Sequence, residues 1–288
     1  MTTKTESNPF ASALSMSKQA EQYGYAKVQK TPAQSFGLAM FAGAFIALAF
    51  VFYITVTTGS SASWGTTRLI GGLAFSLGLM LVVICGAELF TSTVLTTLAW
   101  AQGRVRLGAM LACWGRVYLG NLIGSLVMLA LIMVAGMYLL DGGHWGLNAL
   151  KIAQHKIHHN WAQAFVLGIL CNMLVCLGVW MTFASKEAMA RTIMLILPVA
   201  MFVSSGFEHC IANMFMVPLG IAIAHFASPE FFTALGVSQA QFADLTVSNF
   251  ITANLIPVTL GNIVGGGVIV GLGNWFIESK AMHDDEAA

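Results

Sequence analysis

Two apolar runs, Leu69–Gly103 and Thr192–Pro229, decide most of what this chain can fold into. They are 35 and 38 residues long, and each holds one formal charge, Glu88 in the first and Glu208 in the second. A helix crosses bilayer hydrocarbon in roughly 20 residues. Each run is therefore too long for one straight span and too short for two spans plus a turn. One interrupted span in each fits the lengths, with glycine-containing irregular backbone at the break. Such backbone survives at membrane depth only where protein encloses it or it lines a cavity.

Charges punctuate the other apolar stretches, giving a span at residues 36–56, one that contains Val117–Leu140, one at Trp161–Phe183 and one within Val247–Ile277. The expected fold is an all-α polytopic membrane protein of six transmembrane helices, the second and fifth broken. Only 9% of residues are charged, against about 25% in soluble domains. A net charge of +1 excludes nucleic-acid binding by phosphate neutralisation, which needs a basic surface. Cys85, Cys113, Cys171, Cys176 and Cys210 all lie in apolar stretches without metal spacing and read as buried thiols.

With six spans both ends lie on one side. Nine cations (Lys4, Lys18, Lys27, Lys30, Arg104, Arg106, Lys186, Arg191, Lys280) fall on that side and three (Arg68, Lys151, Lys156) opposite, with Arg116 near a span end. The positive-inside rule places both termini in the cytoplasm. Residues 1–35 are polar and mixed in charge, with no signal-peptide core. They read as a cytoplasmic amphipathic segment: Asn8 caps a helix, Pro9 opens it, Gly24 ends it, and Phe10, Ala13 and Leu14 form its apolar stripe. Residues 36–277 form the six-span domain, and 278–288 a cytoplasmic tail.

The interrupted runs share a pattern. CGAELFTST and SGFEHCIAN align on Gly86 and Gly206, each as Gly-x-Glu. The third and sixth spans match in GNLIG (Gly120–Gly124) and GNIVG (Gly261–Gly265). Three spans followed by three similar ones insert with opposite orientation, a 3+3 inverted repeat whose site lies where the broken helices meet. The glycines permit close helix approach. Asn121 and Asn262 are placed to satisfy freed backbone groups, and Glu88, Glu208 and Asn213 to support the breaks.

ICGAELFTST, GILCNMLVCLG, ILPVAMFVSSGFEHCIANMFMVP and NLIPVTLGNIVGGG closely resemble motifs of the formate/nitrite transporter family, and most closely its formate-channel branch. The likeness extends to NPF near the start, HWGLN (His144–Asn148) and HKIHH (His155–His159). Two departures are Glu88, where formate channels often have Asp, and Gly178, where Ala is usual. The resemblance implies an aquaporin-like fold assembled as a homopentamer in the bacterial inner membrane, each protomer with its own pore. It implies a central His209 and Thr91, constrictions at Phe75, Leu79, Phe90, Val175 and Phe202, a polar lining residue Asn172, and Lys156 in the outer vestibule. It also implies that the N-terminal segment takes part in gating and contacts pyruvate formate-lyase.

The residues support this reading independently. Moving a bare carboxylate through an apolar constriction costs many kcal/mol, which a weak acid avoids by crossing as the neutral molecule. That needs a proton donor in the dry zone, and histidine alone titrates near neutrality without special tuning. His209 is the expected donor, with formate the permeant, nitrite or hydrosulfide the alternatives, and no cofactor. An intramembrane enzyme using Glu208–His209 lacks its parts, since FEHCIAN is not H-E-x-x-H and no Ser/His arrangement has a third member. A primary pump would need a P-loop, which does not occur. His155, His158 and His159 read as an external loop without acidic or thiol partners, a basic mouth with Lys151 and Lys156 rather than a metal site.

Overall fold

The computed structural model describes residues 9–278, with side chains from residue 16 onward, and the ordered elements among them are all helical. The expected cap Asn8 and the tail beyond 278 lie outside the described residues, as do the side chains of Phe10, Ala13 and Leu14.

Helix α1 (Pro9–Gln29) leads into α2 (Pro32–Thr57), which starts under a Thr31 cap with proline in its first turn. Gly24 does not end α1 but lies inside it, where a Cβ would come 3.0 Å from Thr96 Cα. Its missing side chain lets α1 lie flat on the chain after the first break. Next come α3 (Trp64–Ile84), the short α4 (Phe90–Thr93) and α5 (Thr96–Ala101), and α6 (Leu107–Val134). The third span thus ends before Leu140 rather than reaching it. Arg116 lies inside α6, not near a span end.

The second half follows the same order: α7 (His144–Ile157), α8 (Trp161–Met181), α9 (Ala188–Ser204), a break, and α10 (Cys210–Phe226). After α11 (Pro229–Ala234) the last span joins α12 (Val247–Asn249) and α13 (Ile256–Asn262) to two wider i→i+5 stretches, Phe250–Leu255 and Ile263–Leu272. Five stretches among the described residues are long and apolar enough to cross a membrane. The remaining span is α9 plus α10, which at 17 residues each are too short alone.

Packing follows the repeat. In the first half α2 packs on α3 and α6, in the second α8 on α9 and α13, and α3 meets α9 between the halves. The matched glycines sit where backbones touch. A Cβ on Gly124 would drive into the Met40 carbonyl, and one on Gly265 into the Ile169 carbonyl. Lipid supplies no hydrophobic drive between helices, so this contact carries the association. Gly265→Ala is expected to destabilise the protein by about 1–3 kcal/mol, the cost of overpacking a filled interior. Thermal unfolding in detergent checks this, with Gly37→Ala as control, since a Cβ there would meet nothing within 4 Å.

Candidate transport site

Each break is built the same way. Helix α3 ends with Gly86 at φ 71 and Ala87 N donating back to Val82 O (2.9 Å); α9 ends with Gly206 at φ 76 and Phe207 N donating to Phe202 O (2.9 Å). This is the left-handed glycine stop, which a Cβ would strain. The chain then extends through Leu89 (φ −102, ψ 128) or His209 (φ −116, ψ 113) before helix resumes.

Extended backbone inside a membrane needs partners. Glu88 N donates to Leu38 O and Glu208 N to Leu167 O, both at 3.2 Å. Asn121 brackets the first break, its Nδ2 donating to Glu88 O and Ala39 O (both 2.8 Å) and its Oδ1 accepting from Phe90 N (2.9 Å). Asn262 does the same at the second: Nδ2 to Glu208 O (3.0 Å) and Gly168 O (2.8 Å), Oδ1 from Cys210 N (2.9 Å).

The glutamate side chains do not hold the backbone, as the sequence reading had it. Each is enclosed by cations from the helix preceding its half. Glu88 pairs with Lys27 (2.6 Å) and Lys30 (2.8 Å) after α1; Glu208 pairs with Lys156 (2.9 Å) of α7 and accepts from Asn213 (2.6 Å) and Asn254 (3.2 Å). Burial alone would lower the pKa of Lys27, but Tyr23 and Glu88 raise it well above the ordinary lysine value. The role of Lys27 and Lys30, the pairing of Lys156 with Glu208 and the role of Asn254 were missed in the sequence. The signal was there: Lys27 and Lys156 each stand four residues before the cap of the following span, Thr31 and Asn160.

Between the breaks lies the histidine. His209 is 3% exposed. It is the cap of α10, its Nδ1 accepting from Ala212 N (3.1 Å), while Nε2 lies 3.0 Å from Thr91 Oγ1. With Nδ1 accepting, the ring proton of the neutral imidazole sits on Nε2 and donates to Thr91. Phe202 stacks on the ring at 6.0 Å and 14°, and Phe75 meets Phe202 edge-on. These three close the floor of a cavity of about 320 Å³ opening toward α7, lined also by Lys156, Arg68 and Glu208. A second cavity, about 370 Å³, opens beside α1 and ends at Val82, Val179 and Phe183.

Leu79 lies between the two along α3, and Val175 precedes Val179 by one turn of α8; both are buried and line neither cavity. Asn172 ties the breaks together, donating to Thr91 O (3.0 Å) and Asn262 O (2.6 Å), with Oδ1 buried and unpaired among the described residues. Phe90 is not brought to the other aromatics. Its ring packs on Tyr118 (4.9 Å) and Trp114 (6.1 Å) and lines a separate apolar groove with Thr259 and Ile263.

The α7 histidines lie in and just after a helix, not a loop, and they have acidic neighbours. His158 Nε2 bonds Asp244, and His159 Nε2 is 3.8 Å from Glu208. No group of three or more potential metal ligands occurs among the described residues.

The family model for the formate/nitrite transporter matches residues 14–276. The chain belongs to the formate/nitrite transporter family. The formate channel FocA of Escherichia coli K12 is 54% identical over 94% of this chain and 96% of its own. FocA of Haemophilus influenzae is 52% identical over 88% and 89%. A solved pentameric formate channel with formate bound is 55% identical and superposes with a TM-score of 0.82, covering 86% of this chain and 97% of its own. A further ion channel of the family, 27% identical, superposes at 0.77 over 91% and 98%.

Removing one partner of a buried ion pair strands the other charge. Lys156→Met is expected to destabilise the protein by about 3–5 kcal/mol, and Lys156→Met with Glu208→Gln by clearly less, as a double-mutant cycle on thermal unfolding will show. A second expectation concerns pH. Burial, ahead of the neighbouring charges, lowers the pKa of His155 and His159 below their ordinary 6.5. Below 6.5 the unfolded chain takes up protons that these folded histidines resist, so α7 loosens as pH falls. Asp244 acts further into acid: against its own desolvation, bonds from His158 and Gln154 hold it below 3.8, stability lost only as pH drops through that lower value. Hydrogen exchange over residues 144–157, corrected for intrinsic rates, should accelerate between about pH 7.5 and about pH 5.5, a range spanning histidine titration.

Proposed function

We propose that the chain is a formate channel of the bacterial inner membrane, passing formate between its two cavities across His209. The observation that carries this is the His209–Thr91 contact, buried beneath Phe202 where two broken helices meet at the bottom of a cation-lined cavity. Formate itself is supported by the relatives named for that substrate. The family is one of transporters, so no enzyme activity is assigned.

The geometry gives His209 a defined task. Its neutral form offers Nε2–H to whatever occupies the Thr91 position, while the start of α10 points partial positive charge the same way. Formate approaching from the α7 cavity passes Lys156, loses water against Phe75 and Phe202, and exchanges the lost hydration for these donors. Protonating formate at His209 needs a second ring proton, and that proton displaces the Ala212 bond to Nδ1. Proton exchange and loosening of the α10 cap are thus one event. Leu79 and Val175 narrow the path on the α1 side, and Asn172 holds the floor in place.

The excess of cations on the α1 side supports a cytoplasmic position for both termini. A homopentamer is supported by the pentameric relative and by the groove of Phe90, Trp114, Tyr118 and Thr259, which offers a neighbour an apolar face. Contact of the α1 segment with pyruvate formate-lyase rests on family resemblance.

Formate flux in proteoliposomes is expected to lose its pH dependence in His209→Ala, while His209→Asn keeps flux without proton exchange. Unchanged flux and pH profile in both variants would sink the assignment. Competition with nitrite and hydrosulfide ranks the alternatives; either outrunning formate overturns the substrate.

A further inference from the structure

The cavity beside α1 holds three cationic side chains, Lys27, Lys30 and Arg191, and one carboxylate, Glu88. Both lysines are engaged by Glu88, at 2.6 and 2.8 Å. Arg191 makes no side-chain hydrogen bond or ion pair with any described residue, and its Nε is buried without a partner. A guanidinium never gives up its charge and presents donors in a fork that fits a carboxylate. Arg191 is half-buried, and its Nε is closed off from water with no partner among the described residues, an arrangement that costs free energy.

The same packing seam shows a satisfied arginine. Helices α3 and α9 run antiparallel, joined midway by Ser76 Oγ donating to Ile196 O (3.2 Å). At the α7 end Arg68 closes α9: Nε donates to Ser204 O (2.9 Å), Nη2 to Val203 O (3.0 Å), and Nη1 to Tyr53 Oη (3.2 Å). Aligned on Gly86 and Gly206, the counterparts of Val203 and Ser204 are Val83 and Ile84, which line the same cavity as Arg191. Arg191 nonetheless makes no bond to those carbonyls. The position equivalent to Arg68 is Ala188, and Arg191 lies one turn further along α9. The repeat therefore caps a helix end with arginine on one face and, on the other, sets an arginine in the cavity with no partner among the described residues.

We propose that Arg191 is the binding group of an anion site in this cavity, taking a small monocarboxylate from the α1 face before it reaches Leu79. Lys30, 25% exposed at its side chain, is the second cation within the site. With Glu88 already holding both lysines, the cavity keeps the net positive charge that an incoming carboxylate neutralises. The α7 cavity works differently, since Arg68 is committed to carbonyls and Lys156 to Glu208. The two mouths consequently hold the permeant with unequal strength. The identity of the ligand as formate rests on the proposed function; the unpaired guanidinium does not.

The test compares wild type, Arg191→Gln and Arg191→Lys in proteoliposomes of sorted orientation. Arg191→Gln is expected to raise the half-saturating formate concentration about tenfold at the α1 face, the weight of one charge-assisted bond, and to leave the α7 face unchanged. Arg191→Lys, which keeps the charge and loses the fork, falls between. Equal half-saturation in wild type and Arg191→Gln, or an equal rise at both faces, overturns the proposal. Relaxation broadening of isotope-labelled formate by the detergent-solubilised protein gives a readout without flux. Broadening reduced in Arg191→Gln supports the site even if wild type carries no formate, a result that would remove the channel assignment alone. Undiminished broadening removes the site. Should Arg191→Gln fail to fold, Arg191→Lys decides both measurements.

Discussion

The structure depends on backbone amides and carbonyls that have been pulled out of helices inside a membrane and must be paired there. Two asparagines do this. Asn121 and Asn262 each close a break from both sides, accepting from the amide that restarts the helix and donating to the glutamate carbonyl before it. Because each also donates to the first span of its half, at Ala39 or Gly168, the break cannot move without the helices beside it. The glycines flanking these asparagines bring that span close enough for the bonds to form. Close packing and polar satisfaction are a single design, and His209 inherits its position from it.

The carboxylates add a second layer. A buried ion pair is weak support for stability in general, because desolvation offsets the attraction. Its use here is positional. Glu88 and Glu208 draw a lysine from outside the spans toward membrane depth, and the helix carrying that lysine comes with it. The repeating unit is thus four elements long: α1 with the first three spans, α7 with the last three. Asn172, bonded to the Thr91 carbonyl just after the first break and to the carbonyl of Asn262, the residue that brackets the second, couples the two units at the centre.

Much of this was legible in the residues, and the parts that were not share a cause. Run length and the two Gly-x-Glu motifs exposed both broken spans and the inverted repeat, since the membrane allows so few ways to place 35 or 38 apolar residues. The asparagine brackets were readable because buried amides must find partners. The lysine partners were not, because Lys27 and Lys156 lie far from the glutamates in sequence and an isolated lysine near a span end reads as an interfacial charge. Gly24 misled for a related reason: inside a helix it looks like a stop until the surface it packs on is known. Phe90 takes its direction from the break. Its neighbours Leu89 and Thr91 face the core, while its own ring turns toward Trp114 and Tyr118, a direction set by backbone geometry at the break.

The two lysine-bearing helices differ in how the chain holds them. Helix α7 is fastened at both ends, by the 3₁₀ turns after α6 and by the cap of α8, so its lysine stays with Glu208 unless the whole half shifts. Helix α1 leads into the spans through Lys30 and Thr31 and is held along its length, by Gly24 against Thr96, Tyr23 on Ser92 and Glu21 on Arg104. Lys27 lies within that helix and Lys30 just beyond its end, so Glu88 fastens both the helix and the joint that follows it. The two carboxylates are therefore held differently: Glu208 meets one lysine on a helix closed at both ends, and Glu88 two lysines on either side of a helix end.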